Sequence, residues 1–287
     1  MNNKIIVSVV LPTYNRAYLL SGAISSVLNQ TFQDFELIIV DDGSTDNTKE
    51  VVENFQKKDN RIKYIRNEEN LGIQKTLNKG IGMSEGKYIA RIDDDDEWID
   101  NNKLKNQVDF LELNQDHVLV GTGAVVVDEN NKEIFRYLCP KEDNIIRKSI
   151  LSKNCFLHPS VVFKKESFLA VGGYDESSDV RHIEDYDLWF KLGIVGKFAN
   201  LNIYAVKLKN SGKQISFKNQ RKQLNGYFLF IKKYKDSYPG YYYALVRAYL
   251  RLFLYGYLGL NFISKMTAFI SRKKYEKVIN ENIIHNK

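Results

Sequence analysis

The chain has 287 residues, 42 Lys and Arg against 35 Asp and Glu, and 44% apolar residues. That is enough to bury a sizeable core, and it excludes a disordered or fibrous protein. Cys139 and Cys155 are too few for a disulfide framework and fit a reducing compartment. No run approaches the ~20 apolar residues of a spanning helix, and the opening MNNKIIVSVVLP has too short an apolar stretch for a secretory signal, so a cytoplasmic location is expected.

The net charge of +7 hides an asymmetry: residues 205–287 hold 17 Lys and Arg against 3 Asp and Glu, whereas residues 1–204 hold 25 against 32. A nucleic-acid module would carry its phosphate contacts on the main domain. The acidic front therefore argues against nucleic acid as a partner and gives the basic tail a separate task.

In chain order, Ile5 to Leu11 is an apolar run read as a buried strand ended by Pro12, and PTYNR (Pro12 to Arg16) is a turn into a helix over Ala17 to Gln30. Glu36 to Val40 is a second strand. DDGSTDNT (Asp41 to Thr48) breaks it at Gly43, and Ser44, Asp46 or Asn47 caps a helix reaching about Lys58. Ile62 to Ile65 is a third strand, Asn70 to Gly72 a turn, Ile73 to Met83 a helix and Lys87 to Ile92 a fourth strand. Alternating β and α predict a parallel sheet with helices on both faces, joined by right-handed crossovers. Ligands of such sheets bind beyond the carboxyl ends of the strands, so PTYNR, DDGSTD and the acids after the fourth strand are expected to meet at one edge.

Those acids, Asp93, Asp94, Asp95 and Asp96 in YIARIDDDDEW, repel one another at a strand end. A hard divalent cation such as Mg²⁺ or Mn²⁺ explains them, since it takes oxygen ligands and completes its shell with phosphates. A solvated acidic turn before a helix is the structural alternative.

Further on, Asn101 to Asn114 reads as a helix, and His117 to Asp128 with Glu133 to Tyr137 as a hairpin turning at Glu129 to Lys132. Asp143 to Leu151 is helical, and FLHPSVVF (Phe156 to Phe163) is a strand entered through His158-Pro159. A short helix over Lys165 to Val171 stops at Gly172-Gly173. GGYDE (Gly172 to Glu176) is a loop, Ile183 to Gly193 an amphipathic helix opening on Glu184, Asp185 and Asp187, and Phe198 to Lys207 a strand.

Seven segments in this order resemble the family-2 inverting nucleotide-sugar glycosyltransferases of the GT-A fold: VSVVLPTYNR, DDGSTDNT, NLG…LNKGI, GKYIARIDDDDEW, HPSVVFKKE, GGYDE and EDYDLWFKL, covering about residues 5–210. Bacterial enzymes that build surface polysaccharide or lipopolysaccharide glycan are similar to it. The resemblance implies a GT-A domain over 1–216, its nucleotide-sugar half at 1–97 and its acceptor half at 98–216, followed by a helical extension at 217–287.

On this sequence the resemblance puts Pro12, Thr13 and Asn15 at the nucleotide, with Asp42 and Asp41 receiving base and ribose. Asp93, Asp94 and Asp95 stand as the DXD motif, Asp95 as metal ligand with Asp93 and Asp96 beside it, the cofactor Mn²⁺ or Mg²⁺, and the donor a nucleotide-diphosphate sugar, UDP-sugar favoured. Asp185 stands as the catalytic base, with Asp187 or a purely structural helix cap as alternatives. Glu184 supports Asp185 or touches the acceptor. His158 is structural or on the acceptor side, and Trp98 packs or lies near the sugar. Relatives carry a histidine after the last strand, which Lys207 to Ser216 lacks. Water, or lysines such as Lys207, Lys209 and Lys213 at the diphosphate, would take its place.

The basic, aromatic tail predicts two or three helices broken at Pro239-Gly240. It suits an anionic membrane surface at the inner face of the cell membrane, beside a glycan or lipid-linked glycan acceptor. Packing on the catalytic domain or a surface for another protein, a homo-oligomer included, competes with that reading. The rival to an enzyme is an inactive scaffold subunit of a polysaccharide assembly.

Overall fold

Strands β1 (Val7–Thr13), β2 (Phe35–Asp41), β3 (Ile62–Arg66) and β4 (Tyr88–Arg91) lie parallel in the order β3-β2-β1-β4 in the computed structural model, which describes residues 5–180, 182–209 and 220–258. Each is short and rich in Val and Ile, as suits strands covered on both faces. Val7, Val9 and Leu11 face one layer, with α1 (Ala17–Leu28), α2 (Thr48–Gln56) and α4 (Lys103–Leu113). Val10 faces the other, with α3 (Ile73–Gly82), α5 (Asp143–Ile150), α6 (Lys165–Ala170) and α7 (Glu184–Val195). Gly80 lets α3 lie close on the sheet: a Cβ there would meet Val40 at 2.7 Å and Val10 at 2.9 Å.

The parallel sheet expected from the first four strands is present. Beyond β4 the sheet is mixed: β8 (Val162–Lys164) runs antiparallel to β4 and to β6 (His117–Val127), and β9 (Lys197–Lys209) runs parallel to β6. A two-residue strand, β5 (Glu97–Trp98), closes the edge on β9, and β7 (Glu133–Tyr137) makes the expected hairpin with β6.

Pro12 does not end β1, which continues to Thr13 in register with β2. Val10 accepts from the Ile92 N–H, so residues Val10 and Pro12 turn the same backbone edge toward β4. Pairing with β4 stops at Val10 and Arg91, so the N–H that proline lacks has no ladder partner to lose. FLHPSVVF is likewise not a strand throughout: His158–Ser160 is a 3-10 turn, as suits a proline, and only Val162–Lys164 pairs. Helix α7 is less amphipathic than its sequence suggests. Tyr186, Asp187, Leu188, Trp189, Phe190 and Leu192 are all buried, because the C-terminal extension covers the side left by the sheet.

That extension forms α8 (Gln220–Lys233) and α9 (Tyr241–Leu258), broken as expected at Pro239-Gly240, where Gly240 has φ +93°. Phe230, Ile231, Tyr234 and Tyr238 join the core of α7, and the Phe190 and Tyr234 rings stack at 4.5 Å. No described helix is long and apolar enough to cross a membrane.

Candidate active site

The three polar loops meet at the carboxyl ends of β1, β2 and β4. From the first, Thr13 donates to Asp94 at 2.9 Å, and Arg16 reaches Asp94 at 2.9 Å and Asp95 at 3.1 Å. Asn15 adopts a left-handed φ of 53°, where asparagine is better tolerated than most residues. Its N–H donates to Ser44 at 2.9 Å and its side-chain oxygen accepts from the Thr45 N–H at 2.7 Å, binding the first loop to the second.

In the second loop, Asp41 accepts from the Ser44 N–H at 2.8 Å and from the Tyr64 hydroxyl at 2.5 Å. Burial, then the Asp41 hydrogen bond, keeps Tyr64 protonated by raising its pKa. The Asp42 carboxylate accepts from the Asn67 amide at 2.8 Å, the Leu71 N–H at 2.8 Å and the Gly72 N–H at 3.0 Å. Both aspartates are buried and shape the loops at Gly43–Thr45 and Asn70–Gly72.

At the end of β4, Arg91 is only 2% exposed and lies beneath the acids, its guanidinium 2.5 Å from Asp93. Against the effect of burial, Arg91 holds Asp93 below the usual carboxylate range. The others move the opposite way. Burial, outweighing Arg16, pushes Asp94 up to about 6. Burial and the charge of Asp93 raise Asp95, and the same two causes raise Asp96 well above its ordinary value. Asp93 and Asp95 have side chains 33% exposed, whereas Asp94 and Asp96 are buried.

Among the described residues no three His, Cys, Asp or Glu side chains converge as a metal site. Asp93 and Asp95 nonetheless fit a hard cation held by one or two carboxylates and a diphosphate. They are oxygen donors, reachable from solvent, and their mutual repulsion is relieved by positive charge. Asp96, buried behind them, fits less well.

From the other side come α7 and the loop before β8. Asp185, in the first turn of α7, is half-buried and accepts from the Asn154 amide at 3.0 Å. Its carboxyl is raised by burial, and the Asp93 charge adds to that, so the acids after β4 and the start of α7 share one electrostatic environment. Glu184 is buried, accepts from the His182 N–H at 2.7 Å, and is pushed up to about 7 by burial and by Asp185. His158 bonds the Tyr174 hydroxyl at 2.7 Å, and burial with Arg91 nearby brings it down to about 3, so it is neutral.

Asp187 is fully buried, with Lys233 at 2.8 Å, Lys191 at 3.3 Å and the Tyr234 hydroxyl at 2.8 Å. It is enclosed by protein groups, unlike Asp185. Trp98 is buried, donates to the Pro159 carbonyl at 2.9 Å and packs under Lys103. Lys207 pairs with Glu97 at 2.6 Å, and Lys209 lies 3.9 Å from the same carboxylate. Lys213 and the rest of 210–216 lie outside the described residues.

Sequence reasoning named the motifs around the site but gave no role to Arg16, Arg91, Asn154 or Tyr174. Arg91 had a signal: it lies two residues before Asp93, on the same side of an extended chain, and an arginine inside an apolar strand needs an acid. Tyr174 is the tyrosine of GGYDE. Asn154 had no signal of this kind.

Comparison with known proteins gives the family and the fold. The model of the family described as glycosyl transferase family 2 matches residues 8–168. An uncharacterised glycosyltransferase of Methanocaldococcus jannaschii is 30% identical over 96% of this chain and 96% of its own. The Escherichia coli UDP-Glc:alpha-D-GlcNAc-diphosphoundecaprenol beta-1,3-glucosyltransferase WfgD is 33% identical over 65% of this chain and 69% of its own. The chain spans 35% of the length of the bifunctional glycosyltransferase pgtA of Dictyostelium discoideum, at 32% identity. Among solved structures, the mannosyltransferase PcManGT of Pyrobaculum calidifontis, in complex with GDP-Man and Mn²⁺, superposes with a TM-score of 0.62 at 18% identity, over 94% of this chain and 82% of that one. The fold is GT-A, and the chain belongs to glycosyl transferase family 2.

Proposed function

We propose that this protein is an inverting glycosyltransferase that moves a sugar from a nucleotide-diphosphate donor, a UDP-sugar in first place, to a hydroxyl of a glycan or lipid-linked glycan. The observation that carries the proposal is the shared environment of Asp93 and Asp185 around buried Arg91, with Asp95 beside Asp93: a place for a leaving diphosphate next to a carboxylate able to take a proton. The UDP preference follows the UDP-Glc donor named for WfgD. PcManGT carries GDP-Man, so the nucleotide is a matter for measurement.

Asp185 takes the proton of the acceptor hydroxyl as it attacks the anomeric carbon. Burial raises its pKa, which makes it a stronger base than an exposed aspartate. Thr13 and Asn15, with the loops shaped by Asp41 and Asp42, form the nucleotide pocket beside Pro12. Asp95 and Asp93 would hold Mn²⁺ or Mg²⁺, with Asp94 and Asp96 behind them, and the cation would supply Lewis-acid neutralisation of the leaving diphosphate. Arg16, bridging Asp94 and Asp95, adds positive charge at the same end. Glu184 and His158 support the acceptor side.

The domain reading follows from this: residues 1–97 serve the donor, 98–216 the acceptor, and 217–287 are an extension. Part of that extension packs on α7. The outer side of α9, with Tyr242 81% and Val246 59% exposed, is the part suited to an anionic membrane surface at the inner face of the cell membrane.

The test is calorimetric titration of UDP, GDP, dTDP and CDP, each with Mn²⁺ and with EDTA. Tight, metal-dependent binding of one nucleotide is expected. Binding of none would favour the inactive scaffold.

A further inference from the structure

Asn154 sits on the loop before β8 and is held at three points. Its side-chain oxygen accepts from the Phe156 N–H at 3.1 Å, which fixes the amide plane. Its side-chain nitrogen then points at Asp185 and donates to Oδ2 at 3.0 Å. Its own backbone N–H donates to the Tyr227 hydroxyl at 3.0 Å. Tyr227 belongs to α8, so the third point comes from the C-terminal extension.

Tyr227 is itself fixed. Its ring packs on Tyr186, the residue after Asp185, at 5.0 Å between centroids, and Arg251 of α9 lies over its other side at 5.7 Å. Tyr186 donates to the Ile150 carbonyl at the end of α5. A tyrosine from the extension thus touches the site twice, through the loop that carries Asn154 and through the helix turn that carries Asp185.

The geometry points to Asn154 as the positioning residue for the Asp185 carboxylate, and to Tyr227 as the residue that seats Asn154, so that the extension is a working part of the transfer site. This rests on Asp185 as the base. One oxygen of that carboxylate is committed to Asn154, which leaves the other to face the acceptor hydroxyl. The amide also stabilises the charged form, opposing burial and the Asp93 charge. The groups that act on Asp185 are the Tyr186 backbone N–H, Asp93, Arg91, Glu184 and Tyr174, and Asn154 is the side chain that donates a hydrogen bond to it.

The experiment follows the side-chain carboxyl NMR resonance of Asp185, assigned by loss in Asp185→Asn, against pH in the full-length protein. Wild type is compared with Asn154→Ala, Asn154→Asp and Tyr227→Phe. Loss of a hydrogen bond to a charged group should raise the titration midpoint by about one pH unit in Asn154→Ala. Asn154→Asp keeps the shape and the Phe156 bond but turns a like charge on Asp185, and should raise it further. Tyr227→Phe removes one oxygen far from the substrate and should raise it less. In transfer assays the acid limb of kcat should move with the midpoint while the donor KM stays unchanged, which a merely structural role would not produce. Folded Asn154 variants that titrate like wild type, with Asp185→Asn inactive, would overturn the positioning role alone. Should Asn154→Ala fail to fold, an unmoved midpoint in Asn154→Asp or Tyr227→Phe decides in the same way. Undiminished transfer by Asp185→Asn would remove the base and this inference with it.

Discussion

Tyr234, in the turn after α8, donates its hydroxyl proton to the fully buried Asp187 of α7 across 2.8 Å. Lys233 beside it and Lys191 one turn on complete the cage, so this carboxylate ties the C-terminal extension to the helix that opens with Asp185. Removing Asp187 leaves two lysines facing each other without their acid, while removing the Tyr234 hydroxyl leaves the ion pairs intact. Asp187→Ala should destabilise by about 3 kcal/mol and Tyr234→Phe by about 1 kcal/mol, read from urea denaturation. Equal losses would mean that the charge in the cage contributes nothing.

Asp185 and Asp187 are also separable by function. Asp185→Asn should abolish transfer and leave donor binding within about twofold, because Asp185 lies on the acceptor side in the mechanism proposed. The check pairs a transfer assay with calorimetry on the same preparation. Loss of donor binding in that variant would move Asp185 to the donor side.

Arg91 offers a test of the acids above it. With the guanidinium gone, Asp93 loses the charge that holds it ionised, and its pKa should rise by more than about one unit. Arg91→Met, which keeps much of the buried volume, should therefore weaken Mn²⁺-dependent nucleotide binding at least about tenfold at pH near 6, with partial recovery at higher pH. A pH-independent effect would mean that Arg91 acts through packing.

His158 fixes the sign of an acid response. In the folded chain it stays neutral to about 3, whereas an unfolded histidine takes up a proton near 6.5. Between those values the unfolded state binds the extra proton, so His158 makes stability fall as pH drops below about 6.5, by up to about 1.4 kcal/mol per unit. Glu184, raised to about 7, acts in the opposite direction between about 4.5 and 7 and is common to wild type and variant. His158→Gln should therefore lose less Tm than wild type on going from about pH 7 to about pH 5. A parallel loss would place the acid sensitivity elsewhere.

The outer side of α9 carries Val246 at 59% and Tyr249 at 60% exposure. Val246→Glu with Tyr249→Glu should abolish co-sedimentation with anionic vesicles without changing nucleotide binding. Unchanged sedimentation would end the membrane reading of the extension.

The half with β1 to β4 was legible because its signals are local: short Val and Ile runs, each ended by a polar loop, imply a parallel sheet and loops that meet at one edge. The part beyond β4 was not, for a physical reason. Strand β5 has two residues and exists only because β9 lies beside it, and β8 is cut short by the turn at Pro159. Pro12 reads as a strand end and is one only on the β4 side. Aromatics of the tail read as a membrane face, yet Phe230, Tyr234 and Tyr238 turn inward to α7. What sets Asp187 apart from Asp185 in EDYDLW is the cage closed by Lys233 and Tyr234 far along the chain, which no local pattern reveals.

The cage around Asp187 also orders events during synthesis. Helix α7 leaves the ribosome before Tyr227, Tyr234 and Tyr238 do, so for that interval Phe190 and Tyr186 lack their aromatic cover and Asp187 lacks two of its partners. Strands β1 to β4 are all made before α8, but the helix carrying Asp185 lacks part of its cover until α8 arrives. Arrest or proteolysis between α7 and α8 would thus leave a sticky, inactive intermediate, one that chaperones would bind, in place of a half-working enzyme.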